Sequence, residues 1–173
     1  MPNLVPEKFI NFAVYIDGFD ESGIADGTLP SLEAMTSEVK GAGIAGVVDS
    51  IVLGHFGSTT LSLKWRAAPS NFYVLANQVT HDLDIYGAVQ EFDAGSGVIK
   101  STPMHVFCKA LTKKNTLGNL VVGDSQESET EHEVYFIKVE YDHTERIMLD
   151  KFNYIYRVNG TDYLAEVRRA LGK

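Results

Sequence analysis

Thr59-Thr60-Leu61-Ser62-Leu63-Lys64-Trp65-Arg66-Ala67 alternates without a break. Leu61, Leu63, Trp65 and Ala67 fall on one side, and Thr60, Ser62, Lys64 and Arg66 on the other. Successive strand side chains point to opposite sides of a sheet, so this stretch reads as a strand with one dry face and one wet face. The same period recurs along the chain. Ile10, Phe12, Val14 and Ile16 share a face that ends at Asp17-Gly18. Leu83 to Phe92 reads as a strand, and Thr102 to Thr112 places Met104, Val106, Cys108 and Ala110 together. Tyr135, Ile137, Val139 and Tyr141 alternate with Phe136, Lys138 and Glu140, and Arg146 to Val158 supplies one or two further strands. The β-branched run Val47 to Leu53 is expected to form a hairpin with Thr59–Ala67 across Gly54–Ser58.

Two segments have the spacing of helices. Ser70 is a candidate cap for a short helix with Phe72, Leu75, Ala76 and Val79 on one stripe. At the C-terminus, Asn159-Gly160 turns the chain and Thr161 or Asp162 caps. Leu164, Val167 and Leu171 then form a stripe closed by Arg168, Arg169 and Gly172. The expected fold is therefore mainly β with two short α-helices, in one domain over residues 1–173.

The chain carries 15 basic and 23 acidic residues, a formal net charge of −8. A protein that grips duplex needs the opposite sign, because affinity comes largely from cations on phosphates. One cysteine, Cys108, excludes an intrachain disulfide. Met1 to Glu7 lacks the basic and apolar regions of a signal peptide, and no apolar stretch approaches membrane-spanning length. Synthesis in a cytoplasm, with no membrane insertion, is the expectation.

Catalytic and cofactor motifs fail on context. Gly41-Ala42-Gly43-Ile44-Ala45-Gly46 matches G-x-G-x-x-G, but a strand-like run follows where dinucleotide binding needs a helix. His55, His81, His105, His132 and His143 form no metal-ligand spacing. In a strand, His81 opposes Asp82 and Asp84, and His132 opposes Glu131 and Glu133. Cys108, among Val106 and Ala110, reads as a small hydrophobe. No catalytic residue, metal ligand or cofactor is assigned. Glu127, Glu129, Glu131 and Glu133 recur at every second residue, an acidic row if that stretch is extended and solvated.

Three blocks resemble the major tail tube proteins of contractile-tailed phages and R-type bacteriocins. The first is Leu29-Pro30-Ser31-Leu32 followed by Gly41-Ala42-Gly43-Ile44-Ala45-Gly46. The second is Leu61-Ser62-Leu63-Lys64-Trp65 before a short helix. The third is Tyr135-Phe136-Ile137-Lys138-Val139, then Leu149-Asp150, then Val158-Asn159-Gly160-Thr161-Asp162-Tyr163-Leu164 and the Leu171-Gly172 end. Lys64 departs from the family's acid, and Val39-Lys40 from its Tyr-Arg.

The resemblance implies a β-sandwich or barrel-like tail tube fold whose strands join an inner β-barrel running from subunit to subunit. Hexameric rings of the chain stack into a tube inside a sheath. Expected partners are the chain itself, the tail sheath protein, and the tape measure and baseplate proteins, with DNA only as transient lumen cargo. The expected location is the virion tail, after synthesis in the host bacterial cytoplasm. Asp49, or Ser50, with Ser62, Lys64 and Arg66 is expected to face the lumen. Leu29, Pro30, Gly41, Gly43, Ile44 and Gly46 belong to the expected ring-stacking segment, and Ser70, Asn71, Asp82 and Asp84 to the sheath side. A DNA-free bacteriocin or injection-system tube stands as an alternative, as does a monomeric β-sandwich binding module. An enzyme comes third.

Overall fold

The structure is a computed structural model that describes residues 3–20 and 24–173. Met1 and Pro2, part of the stretch read for a leader, lie outside the described residues. The strands in chain order are β1 (Leu4–Ile16), β2 (Phe19–Asp20), β3 (Ile24–Thr28), β4 (Ala34–Val39), β5 (Val48–Phe56) and β6 (Thr60–Trp65). After a 3-10 helix (Ser70–Ala76) come β7 (Thr80–Asp93), β8 (Val98–Thr116), β9 (Ser128–Tyr141), β10 (Thr144–Asp150), β11 (Ile155–Val158) and β12 (Thr161–Asp162). Helix α1 (Ala165–Ala170) follows. The fold is mainly β, as the alternation predicts, and every strand pairing among the described residues is antiparallel.

The main sheet runs β12-β11-β10-β9-β8-β7-β1-β2, with β6 attached to β9 and β3 to β6. Strand β9 belongs to two layers. Its first half, from Ser128, pairs with β6, and its second half, from Phe136, pairs with β10. The layers close on Leu61, Leu63 and Trp65 from β6, Val14 and Ile16 from β1, Leu83 from β7, and Val106, Cys108 and Ala110 from β8, all buried. Burying each large apolar side chain stabilises the fold by roughly 1.5–3 kcal/mol. Trp65 meets Phe72 edge to face at 5.7 Å, which fastens the 3-10 helix to the core.

Three expectations need correction. Strand β5 does not pair with β6: it pairs with β4, Val48 opposite Val39 and Ile51 opposite Thr36. The partner lies across the Gly-rich turn instead, because β6 already has β3 on one edge and β9 on the other. The first helix is 3-10, not α. Pro69 stands at its cap position with no side-chain cap, so Ser70 opens the helix without capping it. Phe72 and Leu75 are buried three apart, matching three residues per turn, and Val79 lies outside the helix and exposed. The last helix has six residues and buries none of them; Leu164, just before it, is the buried anchor. Asp162 accepts from the Leu164 N–H at 3.0 Å and pairs with Arg168 at 2.6 Å.

Candidate assembly surface

Strands β3, β6, the first half of β9 and the last part of β8 form a four-stranded wall. Asp26 lies opposite Lys64, Lys64 opposite Glu129, and Glu129 opposite Thr116. One step along, Thr28, Ser62, Glu131 and Lys114 are in register. Both outer edges of this wall are open among the described residues. β3 pairs with β6 alone. Strand β7 reaches β8 only as far as Thr80 opposite Leu111, so Thr112–Thr116 pairs with β9 alone. An open edge presents unpaired N–H and C=O groups, a template for another strand.

The face of the wall toward the core is buried: Leu61, Leu63 and Trp65 from β6, with Ser128, Thr130, His132 and Val134 from β9. Its polar groups satisfy one another. Trp65 Nε1 donates to Thr130 Oγ1 at 3.4 Å, and the His132 ring sits between Thr112 Oγ1 at 3.0 Å and Thr130 Oγ1 at 2.9 Å. Burial, and then the neighbouring His81, push His132 down to about 4, so the ring is neutral at ordinary pH.

The other face is a charge lattice. Ser62 Oγ donates to Glu129 at 2.8 Å. Lys114 reaches Glu131 at 2.6 Å, and this bond lowers the carboxyl and raises the amine. Burial pushes the Glu133 carboxyl up, but the Ser58 hydroxyl, the Thr59 N–H, Lys151 and Lys113 outweigh it and hold the acid below its ordinary range. Lys151 and Lys113 stand 3.5 and 3.6 Å from that carboxylate. Among the described residues, Lys64 and Arg66 have no carboxylate within ion-pair distance.

The expected lumen set divides. Ser62 and Lys64 lie on the wall's polar face and Arg66 just past the end of β6, but Asp49 does not join them. It stands on β5 opposite Glu38, because β5 left the wall for β4. The acidic row Glu129, Glu131 and Glu133 shares the face with Ser62 and Lys64, although the sequence reading gave it no place there. Its signal was the alternation itself, adjoining a predicted strand.

The expected stacking set also divides. Leu29 and Pro30 lie at the root of the β4–β5 hairpin, whereas Gly41, Gly43, Ile44 and Gly46 form its exposed tip. The whole of β4, six residues and roughly 17 Å of strand, lies between the two. The hairpin stands off the body. Val48, Ile51, Leu53, Met35 and Val39 are all exposed, and among the described residues β4 and β5 pair only with each other. At its root, Gly54 at φ +68° leaves room for Leu164, 2.5 Å from where a Cβ would sit.

Of the expected sheath set, Ser70 and Asn71 open the 3-10 helix and are exposed. Asp82 and Asp84 lie elsewhere, on the face of β7 away from the core. Asp82 pairs with Lys109 at 2.9 Å. Asp84 meets His105 at 2.7 Å, and that ring stacks on Tyr86 at 4.3 Å with Glu140 at its other nitrogen. Cys108 lies beneath, its thiol pushed up to about 12 by burial and then by Asp84, which keeps it protonated and unreactive.

Residues 6–172 match the model of the family described as phage tail tube protein FII. The tail tube protein of Escherichia phage P2 is 26% identical over 175 residues, 97% of this chain and 98% of that protein. Among solved structures, a chain of the sheath/tube terminator of an extracellular contractile injection system, in its extended state, shares the fold. Its TM-score is 0.57 at 13% identity, covering 79% of this chain and 97% of that one. A two-layer β fold with an open-edged wall and a match spanning almost its whole length places this chain in the phage tail tube protein FII family.

Proposed function

We propose that the wall β3–β6–β9–β8 is one segment of a closed barrel, completed by other copies of the chain in a ring. The family gives the role, a structural protein of the virion tail; the two open edges of the wall carry this reading of how it is filled. Four antiparallel strands alternate in direction, so β8 runs opposite to β3. The free edge of β8 in one copy is then antiparallel to the free edge of β3 in the next, and a head-to-tail rotation continues the alternation without a fault. Closure removes both edges at once.

Six copies supply about 24 strands. At a spacing of about 4.8 Å and a tilt of about 40°, such a barrel is roughly 50 Å across between backbones, an open channel rather than a packed core. The polar face, with Ser62, Lys64, Glu129, Glu131 and Glu133, lines that channel, since the opposite face is the subunit's own core. The second layer then lies outside, and the face of β7 carrying Asp82 and Asp84 meets the sheath. The β4–β5 hairpin projects to a neighbouring ring. An isolated two-stranded hairpin is marginal in water, and this one has exposed apolar groups on offer. The work is mechanical and needs no catalytic residue; DNA is cargo that passes through the channel.

Negative-stain microscopy of the purified protein tests this. Rings or hollow tubes are expected, together with slowed amide exchange at Ile24–Thr28 and Thr112–Thr116 on assembly. Particles that stay at the 19.1 kDa monomer mass at high concentration would refute it.

A further inference from the structure

We propose that Leu120, Val121 and Val122 form a hydrophobic knob that enters the apolar cleft behind Leu29 of a copy in the next ring, fixing the axial joint of the tube. This rests on the barrel reading above and names a contact that reading leaves open.

The knob sits on the β8–β9 connection, which leaves the wall at Thr116 and returns at Ser128. Its base is firmly tied. The Asn119 N–H donates to the Gln126 carbonyl at 2.7 Å, and the Gln126 N–H donates to the Arg66 carbonyl at 2.7 Å. Gln126 Nε2 and Ser128 Oγ both donate to the Leu117 carbonyl, and the Ala68 N–H donates to Gln126 Oε1. Gly118, at φ +85°, packs so closely on the Gln126 carbonyl that a Cβ has no room. Above this base, Leu120 is 98% and Val122 105% exposed, with Val121 between them at 59%. Three consecutive apolar side chains held out on a fastened loop touch little of their own chain. A soluble surface has no use for such a run unless a partner covers it.

The cleft runs along β3 between the wall and the second layer, with Leu29 at its end away from the knob. Its volume is about 220 Å³, and its lining includes Phe9, Phe12, Leu29, Leu63, Met104 and Val106. Thr28 is opposite Ser62 near the start of β6, with Leu29 one residue beyond, whereas the knob loop hangs from Arg66 past its end. The Leu29 end of the cleft is therefore about the length of β6, roughly 17 Å, from the knob loop, while its floor reaches back to Gly27 and Asp26 opposite Leu63 and Lys64. A closed apolar cavity of about 150 Å³ holds a benzene-sized guest, so this cleft has room for branched aliphatic side chains.

Lateral neighbours meet edge to edge, and the strand ends are left for axial neighbours. Stacking rings head to tail brings the knob end of one wall to the cleft end of the next. Knob and cleft are different surfaces, so the contact is heterologous and repeats without limit along the axis, as a tube requires.

The paired variants Leu120→Asp and Val122→Asp test this, because both side chains are free in the monomer. The double variant is expected to form single rings that no longer stack, by microscopy and sedimentation. Tubes of ordinary length from it would overturn the proposal while leaving the barrel reading intact. If the unmodified protein forms no rings, the barrel reading fails and this proposal falls with it. A second measurement uses disulfides. Val122→Cys combined with Leu29→Cys is expected to give a ladder of linked multimers in oxidised tubes, and Ile44→Cys with Leu29→Cys none. A ladder from the Ile44 pair instead, or none from the Val122 pair, would assign the cleft to another occupant and overturn the proposal.

Discussion

At the scale of single residues, the wall's core face sets a pH limit. His132 is buried between Thr112 and Thr130 and titrates near 4, below the ordinary value of 6.5. As pH falls from about 6.5 toward 4, the unfolded chain takes up a proton that the folded chain refuses. Stability is full above this window, declines through it, and has lost the whole contribution, about 3 kcal/mol, below it. His132→Asn removes the titration while keeping a polar group. The variant is expected to be less stable at pH 7, and its deficit against the unmodified protein should shrink as urea melts are repeated down to pH 4.5. Parallel stability curves for the two proteins would refute this. That His132 faces away from Glu131 and Glu133 was legible from the alternation, but not that this side is the core. Its hydroxyl partners were not, because Thr112 reaches it from a different strand.

Elements were legible where each strand has one dry face and obscure where that condition fails. β4 has no consistent dry face: Met35 and Val39 are exposed, so no burial imposes a period on it, and the sequence offered β6 as a partner for β5 instead. Strand β9 conceals a second feature. Glu129, Glu131 and Glu133 are odd-numbered and wet, yet Ile137 is odd-numbered and buried. Tyr135 is the extra residue, since Ala110 lies opposite Val134 and Lys109 opposite Phe136. This bulge sits where β9 leaves β6 for β10, so it turns the corner between the layers. Deleting Tyr135 leaves Ile137 and Val139 facing inward, because Phe136 then follows Val134 in an unbroken ladder, but it removes the bend that carries β9 from β6 to β10, and the protein is expected to be insoluble. Tyr135→Ala keeps the count and loses the Phe152 ring contact and the Thr80 bond, a cost of about 1–2 kcal/mol. Soluble, cooperatively melting protein from the deletion would show that the corner does not depend on the bulge.

At the scale of the whole molecule, the net charge of −8 argues against a protein that grips duplex, and the wall changes what that means. Its polar face is nearly balanced, with Glu131 on Lys114 and Glu133 between Lys113 and Lys151. The excess acid is therefore spread over other surfaces. On the barrel reading proposed above, a balanced lattice would still release DNA, for a different reason. Tight binding requires cations free to replace the counterions of phosphate; Lys113, Lys114 and Lys151 are already paired where they stand, which leaves Lys64 and, past the end of β6, Arg66 as too few per subunit to hold duplex tightly. Tubes of the unmodified protein are expected to retain no duplex in pelleting assays at about 50 mM salt. Glu131→Gln with Glu133→Gln frees Lys113, Lys114 and Lys151 in every subunit, and such tubes should hold DNA with an affinity that falls steeply as salt rises. Duplex retained by the unmodified tubes, or equal release by both, would locate the control of passage outside this lattice and leave Lys64 and Arg66 as the side chains to change next.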